Sequence, residues 1–200
     1  GSTSEEASTR RKMYREAMVR SDAQTAFGDD YIAFLKSCDI KLTIRPDTPQ
    51  DFERVAELVQ RTNQLNFSGH KYTREEVTRL LADASLERYV LICEDRFGRY
   101  GTVGFCMVRR DGARVHVQDF MLSCRVQGKF VEAALFNYLC SSARAAPANV
   151  IEINFKRTQR NAPAQQVLRK LGFEVPEEGL ARQEVTASAF SVDFIQVNTA

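Results

Sequence analysis

The stretch LSCRVQGKFVEAAL, residues 122–135, places a thiol, a guanidinium and a glycine just before a helical pattern. The first N–H groups of a helix lack partners within the helix and lie at the positive end of its dipole, so they attract anions. Glycine lets an anion approach the backbone closely, and an arginine adds a fork of donors. The segment from Arg125 to Phe130 therefore predicts a phosphate cradle. The alternative is a plain turn with a surface arginine.

Cys124 and two residues of the preceding strand complete the reactive groups. The positive end of a helix dipole favours a thiolate, and a thiolate can carry an acyl group as a thioester. The alternative for Cys124 is a small residue packed at the strand end. His116 and Asp119 can exchange protons, but residues three apart face opposite sides of a regular strand. Alternation slips near Gln118-Asp119, which indicates a bulge that can realign them.

The elements that must position these groups alternate between strands and helices. Apolar patterns predict the order β-α-α-β-β-β-α-β-α-β-β from residue 41 onwards, with an antiparallel meander followed by a β-α-β crossover. We expect an α/β fold, in which helices flank a mixed, twisted sheet. The predicted strands are 41–46, 88–95, 101–110, 113–124, 150–155 and 191–197. Helices are predicted after Pro49, from Thr73, after Gly128 and from Asn161 to Leu171, with Gly172 as the stop.

Residues 1–40 differ from the remainder of the chain. They predict a long polar helix over about 5–25 and a short helix over about 29–37. The short helix has an apolar face, which predicts that it packs against another part of the protein. We expect 1–40 to be a helical linker, the tail of an upstream domain, and 41–200 to be the main domain.

Composition excludes several classes of protein. The formal net charge is only +2, which argues against a general nucleic-acid binder, and no apolar run approaches the roughly 20 residues needed to cross a membrane. The five cysteines are widely spaced and lack a CxxC pair, and there are only two histidines. This pattern is typical of a reduced, cytoplasmic protein and argues against a disulfide framework or a structural metal site.

Two motifs resemble the GNAT acyltransferase superfamily. Its phosphate loop, Arg/Gln-x-x-Gly-x-Gly/Ala between the fourth strand and the next helix, is similar to Arg125-Val-Gln-Gly128-Lys-Phe130. A later helix that begins near an asparagine and ends in Leu-Gly-Phe is similar to 161–173, and the element order matches over about 41–200. The resemblance implies a GNAT-like fold that binds coenzyme A or another phosphopantetheine group. The implied cofactor contacts are Leu122, Arg125, Val126, Gln127, Gly128, Lys129, Phe130 and Asn161.

A narrower resemblance concerns RTNQLNFSGHKYT (61–73), DRFGRYGTVG (95–104) and DFMLSCRVQG (119–128). These stretches are similar to the C-terminal GNAT-like region of FkbH-like proteins, which carry an upstream HAD-type domain. That family is associated with glyceryl transfer to an acyl carrier protein, which supplies polyketide extender units. The resemblance implies a carrier protein and an upstream HAD-type domain as partners. From the composition, we expect no nucleic acid, membrane or metal to be involved.

The resemblance also suggests roles for individual side chains. Asp119 lies close to where a GNAT acyl donor sits and is a candidate general base, and Cys124 is the second catalytic candidate. The alternative for Asp119 is a carboxylate that pairs with a neighbour at the bulge. Asn63, Gln64 and Asn66 border the acceptor pocket in a GNAT layout and are candidate substrate contacts; a solvated loop is the alternative. Phe130 replaces a small residue, and Leu168 replaces the tyrosine that protonates the leaving thiolate in many relatives. A non-catalytic docking module beside the HAD-type domain is therefore the alternative function.

Overall fold

The computed structural model describes residues 3–141, 147–186 and 189–199. This part of the chain forms a seven-stranded sheet with helices on both faces. The helices are α1 (Thr3–Ala26), α2 (Tyr31–Ser37), α3 (Phe52–Arg61), α4 (Arg74–Ala82), α5 (Val131–Ser141) and α6 (Ala162–Lys170). The strands are β1 (Ile40–Arg45), β2 (Glu87–Asp95), β3 (Gly98–Asp111), β4 (Arg114–Leu122), β5 (Val150–Lys156), β6 (Glu178–Glu184) and β7 (Ile195–Thr199). Across the described ranges, no helix is both long enough and apolar enough to span a bilayer.

The strands lie in the order β6-β5-β4-β3-β2-β1-β7. Neighbours are antiparallel except for β4 with β5 and β1 with β7, which are parallel. The predicted mixed sheet and the predicted element order are therefore confirmed. The last strand, β7, lies a few residues later than the predicted 191–197. Between Phe173 and β6 the chain contributes only an isolated bridge from Glu174 to Arg182.

Apolar side chains form one cluster on each face of the sheet. The larger cluster joins α2, α5 and α6 to the sheet through fully buried residues such as Phe34, Phe136 and Leu168. The smaller cluster joins α3 and α4 to the other face through Val55 and Val77. Both faces of the central strands are covered, which explains the long apolar runs in their sequences.

Local sequence signals set where helices begin and end. Thr73 caps α4: its hydroxyl accepts a hydrogen bond from the N–H of Glu76 at 3.2 Å, and the Glu76 carboxylate faces the N–H of Thr73 in return. Pro49 begins a 3-10 turn that leads into α3. Gly172 follows α6 with a φ of +94°, which is the left-handed stop predicted for this position.

The two N-terminal helices pack differently from each other. α1 has no buried residue, but Arg20 near its end donates two hydrogen bonds, of 2.8 and 2.9 Å, to the buried carboxylate of Asp95. α2 inserts Phe34 and Leu35 fully into the larger apolar cluster. α2 is thus part of the packed domain, while the boundary at residue 40 stays a prediction.

The irregularity expected near Gln118 is present. Met107 pairs with Asp119 and Val108 with Val117, so Gln118 is the extra residue of a bulge in β4. The bulge changes the alternation of side chains along the strand and brings Asp119 onto the face that packs against α3 and α4.

Candidate functional site

β4 and β5 separate beyond the middle of the sheet. Only residues 114–117 of β4 pair with β5, at residues 150–153. Beyond them a gap opens between the two strands, and residues 65–67, which we call the wedge segment, lie in it. On the β4 side, the N–H of Leu122 donates to the carbonyl of Leu65 at 3.0 Å, and the N–H of Phe67 donates to the carbonyl of Phe120 at 3.4 Å. On the other side, the N–H of Lys156 donates to Phe67 at 3.0 Å. The wedge segment therefore fills the gap, with an isolated bridge to β4 and one backbone hydrogen bond to β5.

Side chains fix the wedge segment firmly. Phe67 is fully buried and stacks on Phe120 with ring centroids 5.1 Å apart. The fully buried amide of Asn161 donates to the carbonyls of Asn66 and Lys156 at 3.0 and 2.7 Å. The side-chain groups of Asn161 are thus used within the protein. While the wedge segment is in place, a phosphopantetheine arm cannot pair with the edge of β4 at Leu122.

Asp119 lies directly beside this segment. Its side chain is fully buried and accepts hydrogen bonds from the Tyr72 hydroxyl at 2.6 Å, the Ser68 hydroxyl at 2.8 Å and the N–H of Phe120 at 2.8 Å. Burial raises the pKa of Asp119 to about 6, and the hydrogen bonds limit the rise. At neutral pH the carboxylate is therefore ionised and able to accept a proton.

Tyr72 connects Asp119 to the surface. Burial, and secondly the Asp119 charge, raise the pKa of the half-buried Tyr72 hydroxyl. The exposed ring of His70 packs against Tyr72 with centroids 4.2 Å apart, and His70 Nε2 lies 2.9 Å from Glu76 Oε2. Tyr72 is not among the site residues predicted from the sequence. Its only signal is its place in the KYT stretch before α4, which also suits a simple packing residue.

A cleft of about 250 Å³ brings four of the predicted residues together. Asn63, Gln64, Leu122 and the exposed Cys124 line it, between the end of α3 and the end of β4. Asn66 is not part of this cleft, because its buried side chain donates to the carbonyl of His70 at 2.8 Å and accepts from the N–H of Gly69 at 3.1 Å. Asn66 holds its own loop in shape.

The predicted phosphate loop has a backbone suited to an anion. A 3-10 turn at Cys124–Val126 precedes it, and both Gly128 and Phe130 have left-handed conformations, with φ values of +77° and +67°. Within the described residues, the N–H groups of Gly128 and Phe130 have no hydrogen-bond acceptor. Tyr31 of α2 lies beside the loop and donates its hydroxyl to the carbonyl of Gly128 at 2.8 Å.

The side chains of this loop point in several directions. Arg125 Nη2 donates to the Tyr100 carbonyl in β3 at 2.8 Å, while its Nη1 is buried and has no acceptor in the described ranges. Val126 belongs to the core, Gln127 is exposed and Lys129 is half-buried. The part of the arginine in anion binding therefore stays a prediction, and the backbone is the clearer candidate.

Phe130 occupies a left-handed position that a residue with a Cβ adopts only at a cost. Its ring is partly buried and packs edge-on against Phe194, with centroids 5.5 Å apart. The side chain thus adds apolar contact, whereas the backbone conformation suits the glycine that the GNAT pattern allows at this position. Leu168, the second departure from that pattern, is fully buried and carries no acid group.

We expect Phe130→Gly to be less destabilising than Phe130→Ala by about 1 kcal/mol. Both variants lose the contact with Phe194, but only glycine removes the left-handed strain. Urea unfolding of the two variants measures the difference. An alanine variant as stable as the glycine variant would show that residue 130 does not hold this conformation.

Metal ligands are not grouped in the described ranges: no three His, Cys, Asp or Glu side chains there are placed to hold an ion.

Comparisons with known proteins agree with this architecture. A model of the GNAT acetyltransferase domain matches residues 41–174, while no curated protein matches the chain significantly. Three solved structures share the fold at low sequence identity. A domain from Methanocaldococcus jannaschii has 14% identity and a TM-score of 0.56, over 73% of this chain and 99% of that one.

One of the other two structures is named as an acetyltransferase. Spermidine N-acetyltransferase from Vibrio cholerae, in complex with CoA and spermine, has 17% identity and a TM-score of 0.51, over 74% of this chain and 97% of that one. Ard1 from Thermoplasma volcanium has 18% identity and a TM-score of 0.51, over 72% of this chain and 98% of that one. Because the family model matches residues 41–174, which is most of the chain, this protein belongs to the GNAT acetyltransferase family.

Proposed function

We propose that this domain binds the phosphopantetheine group of coenzyme A or of an acyl carrier protein and transfers the acyl group attached to it. The observation that carries the proposal is the loop before α5, where the N–H groups of Gly128 and Phe130 have no acceptor in the described part of the chain. Free amides at the start of a helix bind phosphate. The CoA in the structure of the spermidine N-acetyltransferase supports a ligand of this class.

The proposed chemistry is attack on the thioester carbonyl by an acceptor, with loss of the phosphopantetheine thiol. The acceptor must lose a proton, and Asp119 is the base for it. Since Asp119 is fully buried, the proton reaches it through the half-buried hydroxyl of Tyr72, 2.6 Å away. The acceptor therefore lies at the Tyr72 hydroxyl; Asn63 and Gln64, in the separate cleft beside Cys124, remain candidate substrate contacts.

The identity of the acyl group rests on the resemblance to FkbH-like proteins. On that basis, we propose that the domain serves transfer of a glyceryl or similar group to an acyl carrier protein, in the supply of polyketide extender units. A carrier protein and an upstream HAD-type domain are the corresponding partners. The wedge segment, LNF at residues 65–67, is part of the stretch that carries this resemblance.

We expect Gly128→Ala to weaken the binding of coenzyme A by tenfold or more, about 1–3 kcal/mol. A methyl group there meets only the Tyr31 hydroxyl, at 3.5 Å, so its cost to folding is the strain of the left-handed backbone, but it keeps a phosphate away from the loop amides. Titration calorimetry with coenzyme A and with a phosphopantetheinylated carrier protein measures the effect.

Gly112→Ala is the matched control. Gly112 lies in the turn between β3 and β4 with a φ of +57°, and an added Cβ there has no atom within 4 Å. Both variants carry the same left-handed strain, so only a local effect on the ligand separates them. Equal affinity of the two variants for coenzyme A would contradict the phosphate cradle.

A second candidate function is a non-catalytic module that docks a carrier protein. Two observations favour the docking module. The wedge segment occupies the edge of β4, and the fully buried Leu168 stands where many relatives have a tyrosine. Such a module binds the carrier protein but shows no turnover. Carrier binding together with acyl loading supports the enzyme; carrier binding without loading, in the protein with its upstream region intact, supports the module.

A further inference from the structure

A second cleft, of about 360 Å³, continues from the cleft beside Cys124. The two clefts share Thr62 and Asn63, and the second one extends to the loop between β5 and α6. Lys71 lines it from the loop before α4, and Arg160 lines it from the loop before α6. Among the described residues that line this cleft, none carries a carboxylate, so its lining is polar and positively charged.

Neither of the two cations is neutralised by a carboxylate. Within the described ranges, no ion pair involves Lys71 or Arg160. The Lys71 ammonium group donates to the neutral amide oxygen of Asn63, and the Arg160 guanidinium has no hydrogen-bond acceptor in the same part of the chain. Both side chains are exposed and can turn towards a ligand. An anion in the cleft therefore gains two charge-assisted contacts without displacing a carboxylate.

Contacts within the protein fix the two loops that form the cleft. Gly69 has a φ of +72°, and a Cβ there would lie only 2.7 Å from Thr158 Cγ2, so glycine allows this close approach. Asn161 holds the facing loop, since its Oδ1 accepts from the N–H of Thr158 at 2.7 Å. The N–H of Arg160 donates to the Thr158 hydroxyl at 3.2 Å. The cations therefore extend from preformed loops, which lowers the entropic cost of binding a ligand.

The same loop before α4 contributes to the cleft and to the candidate base. Ser68 and Tyr72 donate hydrogen bonds to Asp119. Gly69 and Lys71, which lie between them in the sequence, line the cleft. An acceptor that reaches the Tyr72 hydroxyl can therefore place another of its groups in the cleft.

We propose that this cleft binds an anionic group of the acyl acceptor, such as a phosphate, through Lys71 and Arg160. The inference rests on the proposed function, in which the acceptor lies at the Tyr72 hydroxyl. The anionic group belongs either to the phosphopantetheine arm of a carrier protein or to a free small molecule. Neither Gly128 nor Phe130 lines the cleft, so it is separate from the amide cradle before α5.

The test compares phosphopantetheine with pantetheine, which differ only by a phosphate. Titration calorimetry uses the full chain with coenzyme A present, so that the amide cradle is occupied. We expect phosphopantetheine to bind about tenfold or more tightly than pantetheine, and Lys71→Gln and Arg160→Gln each to remove most of this preference. Lys170→Gln changes an exposed lysine in the last turn of α6 and is the matched control, which should keep the preference.

Equal affinity of the wild type for the two compounds, or a preference that survives in both cleft variants, would overturn the site. A phosphopantetheinylated carrier protein then identifies the source of the anion. If the carrier displaces phosphopantetheine, the cleft takes the carrier's arm; if it does not, the cleft takes a free small molecule. Failure of coenzyme A binding or of acyl transfer, with a phosphate preference that still depends on Lys71, would contradict the acyl-transfer proposal and leave the anion site standing.

Discussion

Asp119→Asn is expected to lower acyl loading of a carrier protein by about 10²–10⁴-fold, the usual contribution of a general base. The asparagine occupies nearly the same volume but cannot accept a proton. Loading is measured by mass spectrometry of the phosphopantetheinylated carrier, in the presence of the HAD-type domain proposed as a partner. Melting of the variant alongside the wild type shows whether the buried polar cluster still folds.

The pH dependence of the loading rate tests the role of Asp119 independently. Only the ionised carboxylate is a base, and burial raises the pKa of Asp119 to about 6. The loading rate should therefore rise about tenfold per pH unit below 6 and level off above it. In Asp119→Asn this inflection should be absent.

Ser68→Ala separates catalysis from simple structural support. The Ser68 hydroxyl donates to Asp119 at 2.8 Å, and this bond lowers the pKa of the carboxylate. Its loss should move the inflection to higher pH and leave the plateau rate almost unchanged. Loading by Asp119→Asn at close to the wild-type rate would favour the docking module instead.

The fold was predictable because its signals are local. The Thr73–Glu76 capping pair, the Gly172 stop and the apolar periodicity of each element lie within a few residues of the feature they determine. The bulge at Gln118 was visible as a slip in alternation. The boundaries of the last strands were less clear, since β7 pairs with β1 from the opposite end of the chain.

The candidate site depended on contacts between distant parts of the chain. The sequence from Asn63 to Asn66 has the composition of a solvated loop, yet Leu65 and Phe67 are buried between β4 and β5. Tyr72 reaches Asp119 across 47 residues, and Tyr31 reaches Gly128 across 97. No local pattern predicts such pairs, because they depend on how the strands separate.

Phe67→Ala is expected to lower the free energy of unfolding by about 3–5 kcal/mol, the usual cost of truncating a fully buried aromatic residue. The ring is inaccessible to solvent and stacks on Phe120, and its backbone pairs with both β4 and β5. Urea unfolding measures the loss. Tyr14→Ala is the control: Tyr14 is 68% exposed on α1, so its truncation should change stability by less than about 0.5 kcal/mol.

A milder variant, Phe67→Leu, connects this stability to function. It keeps an apolar side chain in the wedge but loses the stacking on Phe120, so the wedge segment should leave the gap more often. If the phosphopantetheine arm must pair with the edge of β4, Phe67→Leu should bind coenzyme A more tightly than the wild type. Equal affinity of the two proteins would place the arm in the cleft beside Cys124. Unchanged stability of Phe67→Ala would show that the wedge segment is not packed in the gap between β4 and β5, because a packed segment contributes to folding.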